Sequence, residues 1–304
     1  VNVVIVGGAG FIGCSLVKQL RSHGLKLRVL DSARRLERAG DLLGDVEQHV
    51  FDFSVDTGAD RFMEGAQALV HLGCSTTPAK SMGNMVHDAN SNIGPSLKLF
   101  DAAMTSGIKR VVFASSGGTV YGVPERLPIE ESHPTHPLSA YGVSKLSIEN
   151  YLRLYPALNG ISLRIANPYG PYQLNGSAVG VIARYVDAVS RGQPIEVWGD
   201  GSVIRDYIAI QDLVEAMYVA ITTSELGGGA YNLGSGHPTS VNEIIQGIFE
   251  VAAREVPVRY SPARTFDVPT VVLSNRLFSE KTLWKPKITL RQGISALWEA
   301  ANGP

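Results

Sequence analysis

The segment Tyr141-Gly142-Val143-Ser144-Lys145 places a phenol and an ammonium four residues apart. On a helix that spacing is one turn, so both side chains share a face. A free phenol has a pKa of about 10 and is a feeble base at neutral pH. A neighbouring ammonium favours the phenolate, giving a general base that can take the proton of a substrate hydroxyl. The pair alone is weak evidence, because Tyr-x-x-x-Lys also arises as an ordinary surface pair. Position strengthens it. The upstream run Ser115-Ser116-Gly117-Gly118-Thr119-Val120-Tyr121-Gly122 crowds hydroxyls at the C-terminal end of an apolar strand. In α/β proteins ligands bind at such ends.

A second constellation lies at the N-terminus, where Gly7-Gly8-Ala9-Gly10-Phe11-Ile12-Gly13 joins a strand to a helix. The spacing is GxxGxxG, anchored by Gly7, Gly10 and Gly13. Glycines let the chain approach a pyrophosphate closely, and free N–H groups at the helix start face its oxygens. A mere tight turn is the competing reading. Asp31, at the end of the second strand, decides between them: its carboxylate suits the ribose hydroxyls of an adenosine. A 2'-phosphate would meet a like charge there, which favours NAD over NADP. Arg34 and Arg35 weaken that preference, although they read better as solvent-facing loop residues. Asp52 suits either the adenine amino group or a plain loop cap. In His71-Leu72-Gly73-Cys74, small residues would let a cofactor lie flat over the sheet edge. A nicotinamide cation beside Tyr141 would favour the phenolate further.

The elements that must hold these residues follow from the apolar pattern. Strands are read at Val1–Val6, Leu25–Leu30, Glu47–Phe51, Ala68–Leu72, Arg110–Ala114 and Ile161–Ile165. They lack polar alternation and are interleaved with helices, including Asn92–Ser106 and Ala140–Tyr155. That pattern predicts an α/β, doubly wound, mostly parallel Rossmann-like sheet covered on both faces. Residues 1–168 would form the NAD-binding domain, with a strand at 230–234 returning to it. Residues 169–304 would mostly build a smaller C-terminal substrate-binding lobe, with a helix at 179–191, strand 195–198, and helices near 213–222 and 241–253. Beyond Pro257 only short segments rich in proline and arginine are expected.

Composition narrows the function. The 304 residues carry 27 basic and 28 acidic side chains, a formal net charge of -1. No basic run of the kind nucleic acid requires is present, so no nucleic-acid partner is expected. The two cysteines, Cys14 and Cys74, cannot build a disulfide framework, which favours a reducing, cytoplasmic setting. The seven histidines show no metal-site spacing, and no apolar stretch is long enough for a membrane span. The opening strand leaves no room for a signal peptide in this numbering.

Taken together, these motifs identify a resemblance to the extended short-chain dehydrogenase/reductases, and among them to the nucleotide-sugar epimerases. The resemblance spans nearly the whole chain. It rests on the glycine turn, Asp31, Ser115-Ser116, Thr119-Val120-Tyr121-Gly122, Tyr141 with Lys145, and Asn167-x-Tyr169-Gly170-Pro171. It continues through Gly199-Asp200-Gly201, Arg205-Asp206-Tyr207, Asn232-x-Gly234-Ser235-Gly236 and Leu283-Trp284-x-Pro286. It implies NAD held by Gly7, Gly10, Phe11, Ile12, Gly13, Asp31, Asp52, Leu72, Gly73, Ser75, Asn92, Ser115, Tyr141 and Lys145. It implies Tyr141, Lys145 and Thr119 as catalytic groups. A nucleotide sugar, UDP-linked, would be held by Thr119, Asn167, Trp198, Arg205 and Arg264. Trp198 could equally be a core residue, and Arg205 an inter-lobe salt bridge. Val271, where relatives carry a bulky tyrosine, hints at room for an acetamido group.

The resemblance has departures. Gly117 stands where a third serine usually contacts the sugar, Pro95 replaces a glycine, and Ser274 an aspartate. The activity implied is NAD-dependent 4-epimerisation of a UDP-hexose: the glucose/galactose pair or their N-acetylated counterparts. The alternatives are a reductase of a nucleotide-linked 4-keto sugar and a non-catalytic NAD-binding protein. Dehydratases are disfavoured, since Val120-Tyr121 occupies the place of their Asp-Glu pair. The resemblance further implies a homodimer formed through the helix that holds Tyr141 and the one before the fifth strand.

Overall fold

The computed structural model describes residues 2–174, 180–263 and 268–303. The strands are Asn2–Val6 (β1), Lys26–Asp31 (β2), Glu47–Val50 (β3), Ala68–His71 (β4), Arg110–Ser116 (β5), Ile161–Ile165 (β6), Asn167–Tyr169 (β7), Ile195–Trp198 (β8), Ile204–Ala209 (β9), Gly229–Leu233 (β10), Pro238–Ser240 (β11), Val258–Ser261 (β12) and Thr270–Val271 (β13). The helices are Phe11–Ser22 (α1), Ala33–Ala39 (α2), Pro78–Ser81 (α3), Met85–Thr105 (α4), Gly117–Val120 (α5), Ala140–Leu152 (α6), Val181–Ser190 (α7), Ile210–Thr222 (α8), Val241–Ala252 (α9), Arg276–Thr282 (α10) and Leu290–Asn302 (α11).

Seven strands pair in the order β10-β6-β5-β4-β1-β2-β3, every pair parallel. Apart from the exposed edge strand β3, their apolar runs are buried on both faces, which is why they carry no alternation. Within β1, Val3 and Ile5 join one core with Leu16, Val17 and Leu20 of α1 and Leu213 and Met217 of α8. Val4 and Val6 face the opposite core, with Leu99 and Phe100 of α4 and Ile148 and Leu152 of α6. A third core lies under the smaller lobe, where Tyr185, Val186, Ile244, Ile248 and Leu297 meet. There β9 pairs with β7, β11 and β13, and β8 pairs with β12.

Several expectations need correction. The tail beyond Pro257 carries α10 and α11 as well as short segments. The second of these helices opens on a reciprocal cap between Thr289 and Gln292. The helix read from Asn92 starts earlier, at Met85, where the Asn84 side chain accepts the His87 N–H at 2.9 Å. Arg34 and Arg35 lie on α2 rather than in a loop.

One carboxylate joins the two parts. Asp206 of β9 is 1 % exposed. It accepts the N–H groups of Ser235 at 2.8 Å, Gly236 at 3.2 Å and Leu273 at 3.2 Å, and the Ser235 hydroxyl at 2.7 Å. It thereby ties β9 to the turn after β10 and to the residues after β13. Asp206→Ala leaves these donors without their acceptor and is expected to cost about 3 kcal/mol. The urea midpoint measures the loss, and an unchanged midpoint contradicts the role.

Candidate active site

A cleft of 620 Å³ opens at the carboxyl ends of β4, β5 and β6 and reaches into the smaller lobe. Helix α6 delivers Tyr141 and Lys145 to it. The Ser139 side chain caps its start, accepting the Gly142 N–H at 3.2 Å, and the Tyr141 N–H donates to Ser81 Oγ at 3.1 Å. Lys145 is 4 % exposed, and its Nζ donates to the Ala114 carbonyl at 2.8 Å. The same Nζ lies 5.6 Å from the Tyr141 ring centroid. Withdrawal from water raises the Tyr141 pKa well above its ordinary value, and the nearby Cys74 thiol and Asp88 carboxylate add to the rise. Burial is the dominant influence on this phenol in the ligand-free protein.

Behind this pair lies a buried polar network. Glu149, two turns beyond Tyr141, accepts from Arg164 Nη2 at 2.7 Å and Nε at 3.0 Å. It also accepts the Ser115 hydroxyl. Arg164 Nη1 donates to Tyr121 Oη at 2.9 Å, and that hydroxyl donates to Asn232 Oδ1 at 2.7 Å. Burial pushes the Tyr121 pKa up to about 12 against the pull of Arg164. Tyr121 is therefore a neutral strut beneath the cleft.

Thr119 borders the cleft, and its Oγ1 is buried without a hydrogen-bond partner among the described residues. Such an orphan hydroxyl is suited to a ligand oxygen. Gly117 turns away from that space. A Cβ there would collide with Leu273 Cδ1 and stand 3.0 Å from the Arg164 carbonyl oxygen. The missing serine therefore reflects packing against Leu273.

The glycine turn fits a dinucleotide. Gly7 has φ +83°, and a Cβ on it would approach Gly73 N at 2.8 Å and Leu72 C at 2.9 Å. A Cβ on Gly13 would collide with the Gly8 carbonyl. Helix α1 starts after Gly10 with no side-chain cap and no acidic residue in its first turn, leaving its amides suited to an anion. Asp31 is 6 % exposed and accepts the N–H groups of Ala9 at 3.0 Å and Ser32 at 2.8 Å. Burial raises its pKa, and Arg35, 4.0 Å away, pulls the other way. A second cleft of 330 Å³ joins Gly10 and Phe11 to Arg35, Arg38 and Ser75.

Other expected contacts are placed differently. Asp52 is exposed, and its carboxylate accepts the Ser54 N–H at 3.0 Å and hydroxyl at 2.6 Å, which is the loop-cap alternative. Asn92 is buried and accepts the Ser75 N–H at 3.0 Å, so it holds the loop after β4. Phe11, Ile12, Leu72 and Ser115 border the main cleft, whereas Gly73 packs beneath it against Phe53. At the far end, Asn167 Nδ2 donates to the Asp206 carbonyl at 2.9 Å. Trp198 is 45 % exposed along the cleft. Arg205 Nη1 donates to the carbonyls of Ile204 at 2.9 Å and Val268 at 2.6 Å. Val271 is buried in the core and absent from the described cleft wall, so it does not size the pocket. Arg264 lies outside the described residues. Sequence reasoning missed Asp88, which is fully buried and accepts the Ser144 hydroxyl at 2.6 Å. It also missed Arg184 of α7, whose only sequence signal is its place off that helix's apolar stripe.

The model of the NAD dependent epimerase/dehydratase family matches residues 3–234. The chain belongs to that family. It is an NAD-dependent enzyme of the extended short-chain dehydrogenase/reductase type. Among solved structures, it is similar to the UDP-glucose 4-epimerase of Thermotoga maritima with UDP-glucose: TM-score 0.90, 30 % identity, 99 % of this chain and 98 % of that one. It is likewise similar to the UDP-glucose 4-epimerase of Thermus thermophilus in complex with NAD: TM-score 0.89, 31 % identity, 100 % and 99 % covered. A dTDP-4-dehydro-6-deoxyglucose reductase of Escherichia coli is 31 % identical over 310 residues, 97 % of this chain and 96 % of that one. Membership in this epimerase/dehydratase family accounts for the glycine turn and the tyrosine–lysine helix together.

Two expectations follow from the site. Gly117→Ser should destabilise the protein by about 1–3 kcal/mol through overpacking. Leu273→Ala, which makes room, should recover part of that loss in a double-mutant thermal unfolding series. The raised Tyr141 pKa means the neutral phenol persists past the ordinary phenol value of about 10 without ligand. An ultraviolet titration of wild type minus Tyr141→Phe should show no phenolate below that pH, and a phenolate band at neutral pH contradicts the geometry.

Proposed function

We propose that the enzyme catalyses NAD-dependent 4-epimerisation of a UDP-hexose. One observation carries this reading: a single cleft runs from Phe11 and Ile12, past Lys145, Tyr141 and Thr119, to Arg205 and Trp198. Residues 1–168 with β10 serve as the NAD-binding part, and the remainder mostly holds the nucleotide sugar. Bound NAD supplies reversible hydride acceptance at the sugar's C4. The groups around Gly7, Gly10, Gly13 and Asp31 would hold it, with Lys145 and Ser115 at the reacting end. Tyr141 takes the proton of the C4 hydroxyl and later returns it. Lys145 keeps the phenolate tolerable next to its ammonium, and Thr119 orients the sugar oxygen. Arg205 and Trp198 grip the nucleotide end, so that the transient 4-keto sugar can turn without leaving.

The E. coli relative favours a second reading, reduction of a nucleotide-linked 4-keto sugar. One assay separates the two. An epimerase interconverts UDP-glucose and UDP-galactose, or the acetamido pair, with no added cofactor. A reductase consumes NAD(P)H in step with product. Absence of turnover of every UDP-hexose by protein carrying bound NAD removes the first reading. Tyr141→Phe is expected to lower kcat by roughly 10²–10⁴-fold with little change in UDP binding.

We also propose a homodimer. Val143, Tyr151 and Leu154 of α6 and its C-terminal turn, together with Met104 of α4, are exposed apolar side chains on two helices that pack side by side. No described helix is long and apolar enough to cross a membrane. The two unpaired cysteines suit a cytoplasmic setting.

A further inference from the structure

Arg184 projects from the first turn of α7 and borders the cleft. Its guanidinium carbon stands 5.4 Å from the centroid of the Tyr185 ring. That ring is a fixed platform, 2 % exposed, with its hydroxyl donating to the Glu196 carbonyl at 3.2 Å. The carboxylates nearby are committed elsewhere. Asp187, the one acid of α7, pairs with Arg191 at 2.9 Å, and Glu196 pairs with Arg259 at 3.6 Å. Arg184 has no ion pair among the described residues. An exposed helical arginine is ordinarily a solvated one. This one instead lines a concave wall whose described residues include the cations Lys145, Arg184 and Arg205 and no carboxylate.

A guanidinium left uncompensated in a concave site, and steadied on an aromatic face, is a ready contact for phosphate oxygens. We propose that Arg184 is a specificity-determining contact for the diphosphate of the ligand, separating UDP from uridine. The assignment rests on the nucleotide-sugar reading above. The stack against Tyr185 pre-orients the fork, so little side-chain freedom is lost when an anion arrives. Because the residue is exposed and meets the core only through the Tyr185 ring, its replacement is expected to leave the fold intact.

Calorimetric titration of wild type, Arg184→Ala and Arg184→Lys with UDP, uridine and NAD tests this. The alanine variant should bind UDP about tenfold more weakly, the order expected for one partly exposed charge-assisted contact. Its affinity for uridine and for NAD should stay within twofold, and lysine should restore part of the loss. The salt dependence of UDP binding should flatten in the alanine variant. In turnover, KM should rise while kcat holds. UDP affinity within twofold of wild type in the alanine variant overturns the assignment, as does an equal loss for uridine. Wild-type protein that binds NAD but no UDP overturns the nucleotide-sugar reading itself, a distinguishable failure.

Discussion

The buried ion pair between Glu149 and Arg164 fixes the geometry on which the rest of the site depends. Removing two charges from water costs several kcal/mol each, and only a nearly saturated set of hydrogen bonds offsets that. Here the set is nearly full. Glu149 accepts from two Arg164 nitrogens and from Ser115, and Arg164 donates onward to Tyr121. The pair joins α6 to β6, while Ser115 joins the same carboxylate to β5. Lys145, one turn earlier on α6, bonds the carbonyl of Ala114, the neighbour of Ser115. Two consecutive residues of β5 are thus clasped by two consecutive turns of α6. Tyr141, one further turn back, has little freedom left except over the strand ends.

The same clasp holds Tyr141 in a setting that favours the neutral phenol. In the ligand-free protein the tyrosine is partly buried at the cleft wall, with Cys74 and the Asp88 carboxylate nearby, and its pKa is raised. Asp88 cannot be removed cheaply, because it accepts from Ser144 and Thr76 and so fastens α6 to α4 and to the loop after β4. A structural carboxylate therefore disfavours ionisation of this phenol. Lys145 brings its ammonium to 5.6 Å from the ring centroid, a position that favours the phenolate over a neutral surrounding.

How much of this is legible in the sequence depends on the range of the interactions. The glycine turn, the Tyr141–Lys145 turn and the doubly buried strands are local patterns, and residue type and spacing alone give them away. Asp206 is different: it reads as part of a surface-like Arg-Asp-Tyr triplet, yet the groups that donate to it come from residues 235, 236 and 273. Gly117 is hard to read for the same reason. As a sequence position it is a lost donor, but Leu273, far along the chain, already fills the volume that a side chain would use. Val271 follows, since strand β13 turns it into the core beside β9. Asp52 is read locally instead, since a serine two residues on donates to its carboxylate. Helices α10 and α11 escape notice because prolines at 257, 262, 269 and 286 interrupt the apolar pattern around them.

The electrostatics of the cleft extend this point. The chain as a whole is nearly neutral, at -1, so composition says nothing of a positive site. The field arises from how acids are spent. Glu149 is consumed by Arg164, Asp206 by backbone amides, Asp187 by Arg191 and Glu196 by Arg259. The described cleft wall carries Lys145 and Arg184 among its basic side chains and no carboxylate side chain. Low-dielectric walls around such residues focus their potential on whatever enters. A diphosphate in the same cleft would neutralise that excess and, by tethering the sugar, keep it beside Tyr141. On the proposed reading, the arrangement that attracts the diphosphate is also the one that keeps the sugar within the site.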